Sequence, residues 1–329
     1  VVTVPAAGVI RAKPSWKDRL AAHVSIARLD HSIKNIFVVP GIIIPISLLR
    51  SLPPHLWRNL ALGFLATTLV ASSNYVINEV LDAPCDRLHP VKKNRPAARG
   101  LVNTWAAYAQ WIAMMLLGMA LAMTISTKFA ATEGALWIMG CVYNIRPCRT
   151  KDVVYLDVLT ESINNPLRML LGWYMVTSQL VPPVSLLCCY WMLGCYLMGL
   201  KRFSELREIG SRELAGCYRP SFKRYTEQTL LRSVLFYASS AMLLFGAFIM
   251  RYRIELILSF PLVAWMMSTY FDMAFAPQSC VQTPEKLYKQ PLLMTELVIT
   301  ATVIVALLFV DIPWLAKIFT PSLPLHYLN

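Results

Sequence analysis

Residues 74–100 read NYVINEVLDAPCDRLHPVKKNRPAARG and follow directly on an apolar run. Asn74, Asn78, Asp82 and Asp86 recur every four residues. On a helix that spacing stacks side chains along one face. Glu79 stands beside Asn78, and Arg87, His89, Lys92, Lys93, Arg95 and Arg99 follow within a few residues. Carboxylates at the inner end of a membrane helix are costly unless they bind something. A hard cation such as Mg²⁺ takes oxygen ligands and usually shares them with substrate phosphates. The basic side chains would then meet the phosphates themselves. A solvated loop beside a helix cap is the plainer alternative. It accounts for the basic run or for the acidic spacing, but not for the two together.

Pro84 sharpens the local expectation. Proline removes a donor and clashes with the carbonyl four residues back, so the helix should break or kink between Val80 and Ala83. Asn78 and Asp82 are then helical and Asp86 sits on the loop. Asp82 and Asp86 are the expected metal ligands, and Asn78 would orient a carboxylate or a phosphate. Glu79 is the third metal candidate, although it points about 100° away from Asn78 on an ideal helix.

The composition sets the class. The chain is 57% hydrophobic and only 15% charged, whereas soluble domains carry roughly 25% charged residues. Nine apolar segments run near 35–50, 60–81, 104–126, 129–145, 153–177, 180–200, 229–250, 254–272 and 291–312. The expectation is an all-α polytopic membrane protein of about nine transmembrane helices around one cavity. The first segment is short and holds Pro40 and Pro45, which predicts a kink. No internal repeat or low-complexity linker divides the chain. Residues 1–34 form a basic arm in which Trp16, Leu20, Val24, Ile26 and Ala27 outline a weak amphipathic helix for the membrane surface. Residues 35–312 form the transmembrane domain, with polar cap loops near 82–103 and 201–228, and 313–329 form a tail.

The charge distribution orients it. Net charge is +13. If the N-terminus and the even-numbered connections share a side, that side holds 23 of the 31 Lys and Arg and the other holds 6, with Arg168 and Arg232 in or at a segment. Cations concentrate on the cytoplasmic side, so the N-terminus and the opening of the cavity are assigned there, in a plasma or inner membrane. The excess fits attraction to anionic headgroups or phosphates rather than to nucleic acid. The eight cysteines show no metal-ligand spacing and read as buried free thiols.

Two further stretches are polar where apolar residues would be expected. Segment six ends in LKRFSELREIGSRELAGCYRPSFKRYTEQ, where Lys201 and Glu205 are one helical turn apart and Arg202, Arg207, Arg212, Arg219, Lys223 and Arg224 add positive charge. The bland account is an ordinary basic cytoplasmic loop. The other stretch is YNIRPCRTKDVVYLDVLTESINNPLRMLLGWY. Arg146, Arg149 and Lys151 form a basic loop. Asp157, Glu161 and the pair Asn164 and Asn165 share a helical stripe, and Arg168 follows one turn later. Such residues in a span nearly always face the bundle interior, as substrate contacts or as ion pairs between helices. Pro166 should kink this segment.

The quoted strings carry a resemblance. Asn78, Glu79, Asp82 and Asp86 look like the first aspartate-rich motif of the UbiA-type intramembrane prenyltransferases, usually N-D-x-x-D-x-x-x-D, with Glu in place of the second-position Asp. The continuation D-R-x-H-P-x-K-x-x-R-P-x-A-x-G is similar to the decaprenyl-phosphate phosphoribosyltransferase branch. So are the string K-R-[YF]-x-E-L at Lys201, Arg202 and Glu205, and S-x-x-x-Y-T at Ser221, Tyr225 and Thr226. Common members place a second D-x-x-x-D where this chain has Lys201 to Glu205. The family also has an arginine and a glycine at points comparable to Arg168 and Gly172, whereas the acidic and Asn-rich stripe departs from that branch.

The resemblance implies a Mg²⁺-dependent transferase that breaks a carbon–oxygen bond to a leaving diphosphate. In its phosphoribosyl branch, phosphoribosyl diphosphate is the donor and a polyprenyl phosphate the acceptor. In its common form, a prenyl diphosphate alkylates an aromatic or other small acceptor. Asn74, Asn78, Glu79, Asp82, Asp86, Arg87, Lys92, Lys93, Arg95, Arg146, Arg149, Lys151, Asp157, Glu161, Asn165, Arg168, Lys201, Arg202, Glu205 and Tyr225 are the candidate site residues. A second cluster rich in Lys and Arg favours the phosphoribosyl donor, whose 5-phosphate needs cations of its own. A lipid-phosphate transporter is the non-enzymatic alternative. It is disfavoured because no inverted repeat is present and the charge lies at one membrane face. The sequence leaves lipid length and oligomeric state open, homo-oligomers included.

Overall fold

The structure, a computed structural model, describes residues 15–87 and 92–319. His89, the first fourteen residues of the arm and residues 320–329 of the tail lie outside the described residues. The described residues are helical, with no strand among them. In chain order the α-helices are α1 (Trp16–Ile26), α2 (Val39–Leu49), α3 (Leu56–Asp86), α4 (Thr104–Met123), α5 (Thr127–Asn144), α6 (Leu156–Ser162), α7 (Asn164–Val176), α8 (Val184–Ile209), α9 (Arg212–Tyr218), α10 (Glu227–Tyr252), α11 (Phe260–Met273), α12 (Pro291–Phe309) and α13 (Pro313–Ile318). The protein is an integral membrane bundle. Leu116, Leu117, Leu235, Phe236, Leu243 and Val298 are exposed on its outer surface, a disposition that lipid satisfies and water does not.

Six helices are long and apolar enough to cross a bilayer: α3, α4, α8, α10, α11 with the turn before it, and α12. The other three expected segments are helical but short or interrupted. The first begins as a 3-10 helix over Leu29–Val38 and becomes α2. The fourth, α5, has only 18 residues. The fifth divides at Ile163 into α6 and α7, next to Pro166 in the first turn of α7. That break lies where the proline should put it.

The expected break before Pro84 does not occur. α3 continues to Asp86, and Arg87 N–H still reaches the Ala83 carbonyl at 3.2 Å. Pro84 stands two residues from the helix end, so it interrupts one hydrogen bond at a point where the ladder is about to stop. The consequence is that Asp86 stays helical, one turn beyond Asp82 on the same face.

Among the described residues the bundle buries its helices around four apolar clusters, the smallest being Ile26, Ala27, Val76 and Ala107. Phe203, Phe222, Tyr225, Leu200 and Leu230 join α8, α10 and the loop between them. Val70, Phe129, Leu171 and Met175 join α3, α5 and α7. Met169, Trp173, Leu186, Phe248 and Leu308 join α7, α8, α10 and α12. α2 and α7 touch backbone to backbone at Gly41 and Gly172. A Cβ on Gly172 would collide with the Val38 carbonyl, and one on Gly41 with the Met169 carbonyl. On α1, Ala22 and Ile26 face the bundle while Trp16, Leu20 and Val24 remain exposed. α1 is fastened by His23, which contacts Gln110 of α4 at 3.1 Å.

The Gly172 contact has no side chain that could give way. Gly172→Ala should destabilise the bundle by about 1–3 kcal/mol through overpacking. Thermal unfolding in detergent is the measurement; an unchanged midpoint would show that α2 can move aside.

Candidate active site

One end of the bundle gathers the charge. There the C-termini of α3, α5 and α8 meet the loops that follow them. α5 ends because Ile145 is extended and Arg146 precedes Pro147, a position that disfavours helix. The chain then doubles back so that Arg149 and Lys151 reach α3.

Asp82 is the focus of that return. Lys151 Nζ lies 2.5 Å from Asp82 Oδ1, and Arg149 Nη2 lies 3.0 Å from the same oxygen. Lys151 also donates to Asn144 Oδ1 at 2.8 Å, and Asn78 Nδ2 donates to that oxygen at 2.5 Å. Burial pushes the Lys151 ammonium down to about 8, against the opposing pull of Asp82. Asp86 is paired separately, with Arg95 Nη1 at 2.6 Å. Asn74, two turns along the same face of α3, donates to the Leu136 carbonyl at 3.0 Å.

The opposite wall is built around Asp157, which is fully buried. Its Oδ1 accepts from the Tyr225 hydroxyl at 2.7 Å, and its Oδ2 accepts from Ser221 at 3.3 Å and Arg202 Nε at 3.2 Å. Arg202 also donates to Glu205 at 3.0 Å and to the Tyr143 hydroxyl at 3.4 Å. Arg219 shares Tyr143 at 3.3 Å. Lys92 Nζ lies 3.6 Å from Glu205, which links the loop after α3 to the end of α8. Burial lowers the Lys92 ammonium, with Glu205 opposing. The Arg219 guanidinium is held above its usual range: burial acts against the charge, but Tyr143, Glu205 and Asp157 outweigh it.

This geometry sorts the expected residues. Asn78, Asp82, Asp86, Lys92, Arg95, Arg149, Lys151, Lys201, Arg202 and Glu205 lie at the same polar end. Glu79 does not join Asp82 and Asp86: it accepts from Arg28 at 2.7 Å and from the Ala97 N–H at 3.4 Å, so it ties the arm and the cap loop to α3. Among the described residues it does not converge with Asp82 and Asp86 as a third ligand. Asp157 and Tyr225 are likewise spent on internal bonds, and they position cations rather than face a substrate. Arg202 uses its three nitrogens on Asp157, Glu205 and Tyr143. Arg146 is exposed. Arg87 and Lys93 line a separate open dish of about 390 Å³ with Arg99. Glu161 and Asn165 lie deeper, Asn165 packing on Gly194.

Three residues were missed as site members. Asn144 is the hinge between Asn78 and Lys151, and its only sequence signal is its place at the boundary of an apolar run. Tyr143 reads as one more aromatic in a span. Arg219 is lost among seven cations of one loop, yet it is the one within electrostatic reach of Asp82, Lys92, Lys151 and Glu205. Among the described residues no three His, Cys, Asp or Glu side chains converge as a metal site. Asp82 and Asp86 therefore offer two hard oxygens from one helix. A magnesium ion would take its remaining ligands from phosphates and water, the usual division for that ion.

The structure thus sets two carboxylates of one helix among clustered cations at one end of a membrane bundle. Residues 37–280 match the UbiA prenyltransferase family, and the chain belongs to that family. The fold is that of a UbiA homolog from Archaeoglobus fulgidus bound to GPP and Mg²⁺, with TM-score 0.64 at 19% identity, covering 87% of this chain and 99% of that one. The chain is 26% identical over 184 residues to the decaprenyl-phosphate phosphoribosyltransferase of Mycobacterium tuberculosis, covering 56% of this chain and 58% of that protein. It is 26% identical over 146 residues to protoheme IX farnesyltransferase 2 of Vibrio parahaemolyticus, covering 43% and 50%. The chain thus spans little more than half the length of these curated relatives.

Removing the charge of Asp157 leaves Arg202 and Arg219 buried against each other. Asp157→Asn should cost about 3–5 kcal/mol of stability, the usual penalty for breaking a buried ion pair, and Tyr225→Phe about 1 kcal/mol. Unfolding midpoints in detergent check both, and the larger loss must fall on Asp157→Asn.

Proposed function

We propose that this protein transfers a 5-phosphoribosyl group from phosphoribosyl diphosphate to a polyprenyl phosphate. The observation that carries the reading is the wall opposite Asp82 and Asp86. Where a second acidic pair would clamp a prenyl diphosphate through a second cation, this chain sets Lys92, Lys201, Arg202 and Arg219 around Glu205. A donor with phosphates at both ends of a pentose needs cations on both walls. The relatives named decaprenyl-phosphate phosphoribosyltransferase support the same choice.

The chemistry follows from charge. The anomeric carbon forms a bond to an oxygen of the lipid phosphate, and its bond to the diphosphate oxygen breaks. The electron pair leaves with the diphosphate. Lys151 and Arg149, already aimed at the space in front of Asp82, neutralise that charge. A magnesium ion on Asp82 and Asp86 supplies further neutralisation when bound. No general base is needed, because the lipid phosphate is already anionic. The polar end faces the cytoplasm in this reading, with the N-terminus on that side of a plasma or inner membrane, as the cation bias supports.

Prenyl transfer to a small acceptor is the second reading. It is supported by the farnesyltransferase relative and by the polar interior beneath Asp82. Titration of purified protein in Mg²⁺ with phosphoribosyl diphosphate and with a prenyl diphosphate separates the two. Saturable binding of the first, with diphosphate release once polyprenyl phosphate is added, is the expected result. Binding of the prenyl diphosphate alone would defeat it, and transport without diphosphate release would point to a carrier. Asp82→Asn and Asp86→Asn should each lower turnover by two or more orders of magnitude; Asp82→Asn should also lower the unfolding midpoint, because the buried Lys151 loses its carboxylate partner, whereas Asp86→Asn, at the more exposed pair with Arg95, should lower it less. Near-normal turnover at limiting Mg²⁺ would remove that residue as a ligand.

A further inference from the structure

Below the charged end lies a second polar cluster that the transfer of charge to diphosphate does not use. Arg168 of α7 is 6% exposed, and its Nε has no hydrogen-bond partner. Among the described residues no carboxylate lies within ion-pair distance of it, although Glu133 of α5 is within electrostatic reach. Lys34, in the 3-10 turn before α2, lies over the ring of Tyr75 with Nζ 5.4 Å from the centroid and is within electrostatic reach of Arg168 and Glu161. Glu133 Oε1 accepts from the Thr67 hydroxyl at 2.6 Å, while its Oε2 is buried without a partner. Asn164 Oδ1 and Ser162 Oγ of the same quarter of the bundle are also buried without partners.

An arginine inside a membrane bundle keeps its charge and must find an anion or a ring of acceptors. The orphaned Arg168 Nε is a cationic donor without an acceptor, which calls for an anionic ligand; the neighbouring Asn164 Oδ1 is an acceptor and makes no such demand. The depth indicates which one. Tyr75 lies seven residues before Asp82 on one continuous helix, which places its level roughly 10 Å further into the bilayer. Displacement at an anomeric carbon needs the entering oxygen opposite the leaving diphosphate. With the diphosphate at Asp82, the entering group lies on the bilayer side of the pentose, at the level of Lys34 and Arg168.

We infer that Lys34 and Arg168 form the subsite for the phosphate of the acceptor lipid, with Tyr75 fixing the Lys34 ammonium. The inference rests on the phosphoribosyl reading for the identity of the acceptor, but on the unpartnered arginine for the site itself. Two cations on separate elements, α7 and the turn before α2, would close on one phosphate while its chain runs out between helices. The acids nearby, Glu133 and Glu161, keep the empty site near neutrality without occupying the donors.

The test measures binding of a polyprenyl phosphate, without donor, to wild-type protein, Arg168→Gln and Lys34→Gln in nanodiscs, with the matching polyprenol as control. Phosphoribosyl diphosphate binding in Mg²⁺ is measured on the same samples. Each substitution should weaken binding of the lipid phosphate by about ten- to a hundredfold, leave the weak binding of the alcohol unchanged, and leave donor binding intact. Arg168→Lys should recover part of the loss. Wild-type affinity for lipid phosphate in folded Lys34→Gln would overturn the proposal even if Arg168→Gln fails to fold. So would equal affinity of the wild type for polyprenol and its phosphate. Loss of donor binding in the wild type, with the lipid arm intact, would instead defeat the phosphoribosyl reading alone.

Discussion

The Lys151 side chain is only 5% exposed and its ammonium lies 2.5 Å from Asp82. Two charges held this far from water repay their desolvation only if their remaining donors and acceptors are satisfied. Asn144 and Arg149 do that. Asn144 takes a second hydrogen of Lys151 and one from Asn78, and Arg149 fills the next lone pair of Asp82. The end of α5, its return loop and the face of α3 are thereby fixed relative to one another. The space in front of Asp82 is bounded by groups that hold anionic oxygen, at little further cost when a phosphate arrives.

Asp157 does the same for the opposite wall. A carboxylate with both oxygens occupied keeps Arg202 and Arg219 from turning away, and Tyr225 ties that carboxylate to the backbone N–H of Tyr155 at 2.7 Å. The wall is rigid because its cations are already paired internally. Arg202 commits one N–H of each of its three nitrogens to this wall, whereas Lys92 and Arg219 lie nearer its rim. The two walls are joined through Lys92 and Glu205, on the loop after α3 and the end of α8.

The interior beneath them is built by a different rule. Lys34, Glu133, Glu161 and Arg168 come from four elements and do not pair within contact distance among the described residues. The other end of the bundle shows the contrast: Arg50 and Arg253 close directly on Asp311 at 2.7 and 2.8 Å, a clasp between loops.

Composition and periodicity alone determined the helical membrane class, because 57% hydrophobic residues in long runs have no other stable solution. They also placed Asn78 and Asp82 on one face, since four-residue spacing is local geometry, whereas Asp86, expected on the loop, joins that face only because α3 continues past Pro84. The loops after α3, α5 and α8 were legible as polar but not as partners, because each pairing spans tens of residues. Only tertiary packing gave Glu79 to Arg28 rather than to a metal, made Asp157 an anchor and selected Arg219 from its neighbours. It also decided that Pro84 would break no helix, since the distance to the helix end, set by how the following loop packs, determines whether a lost hydrogen bond matters. Spacing fixes which side chains share a face; which face meets which is settled by burial of charge, and that is a property of the whole bundle.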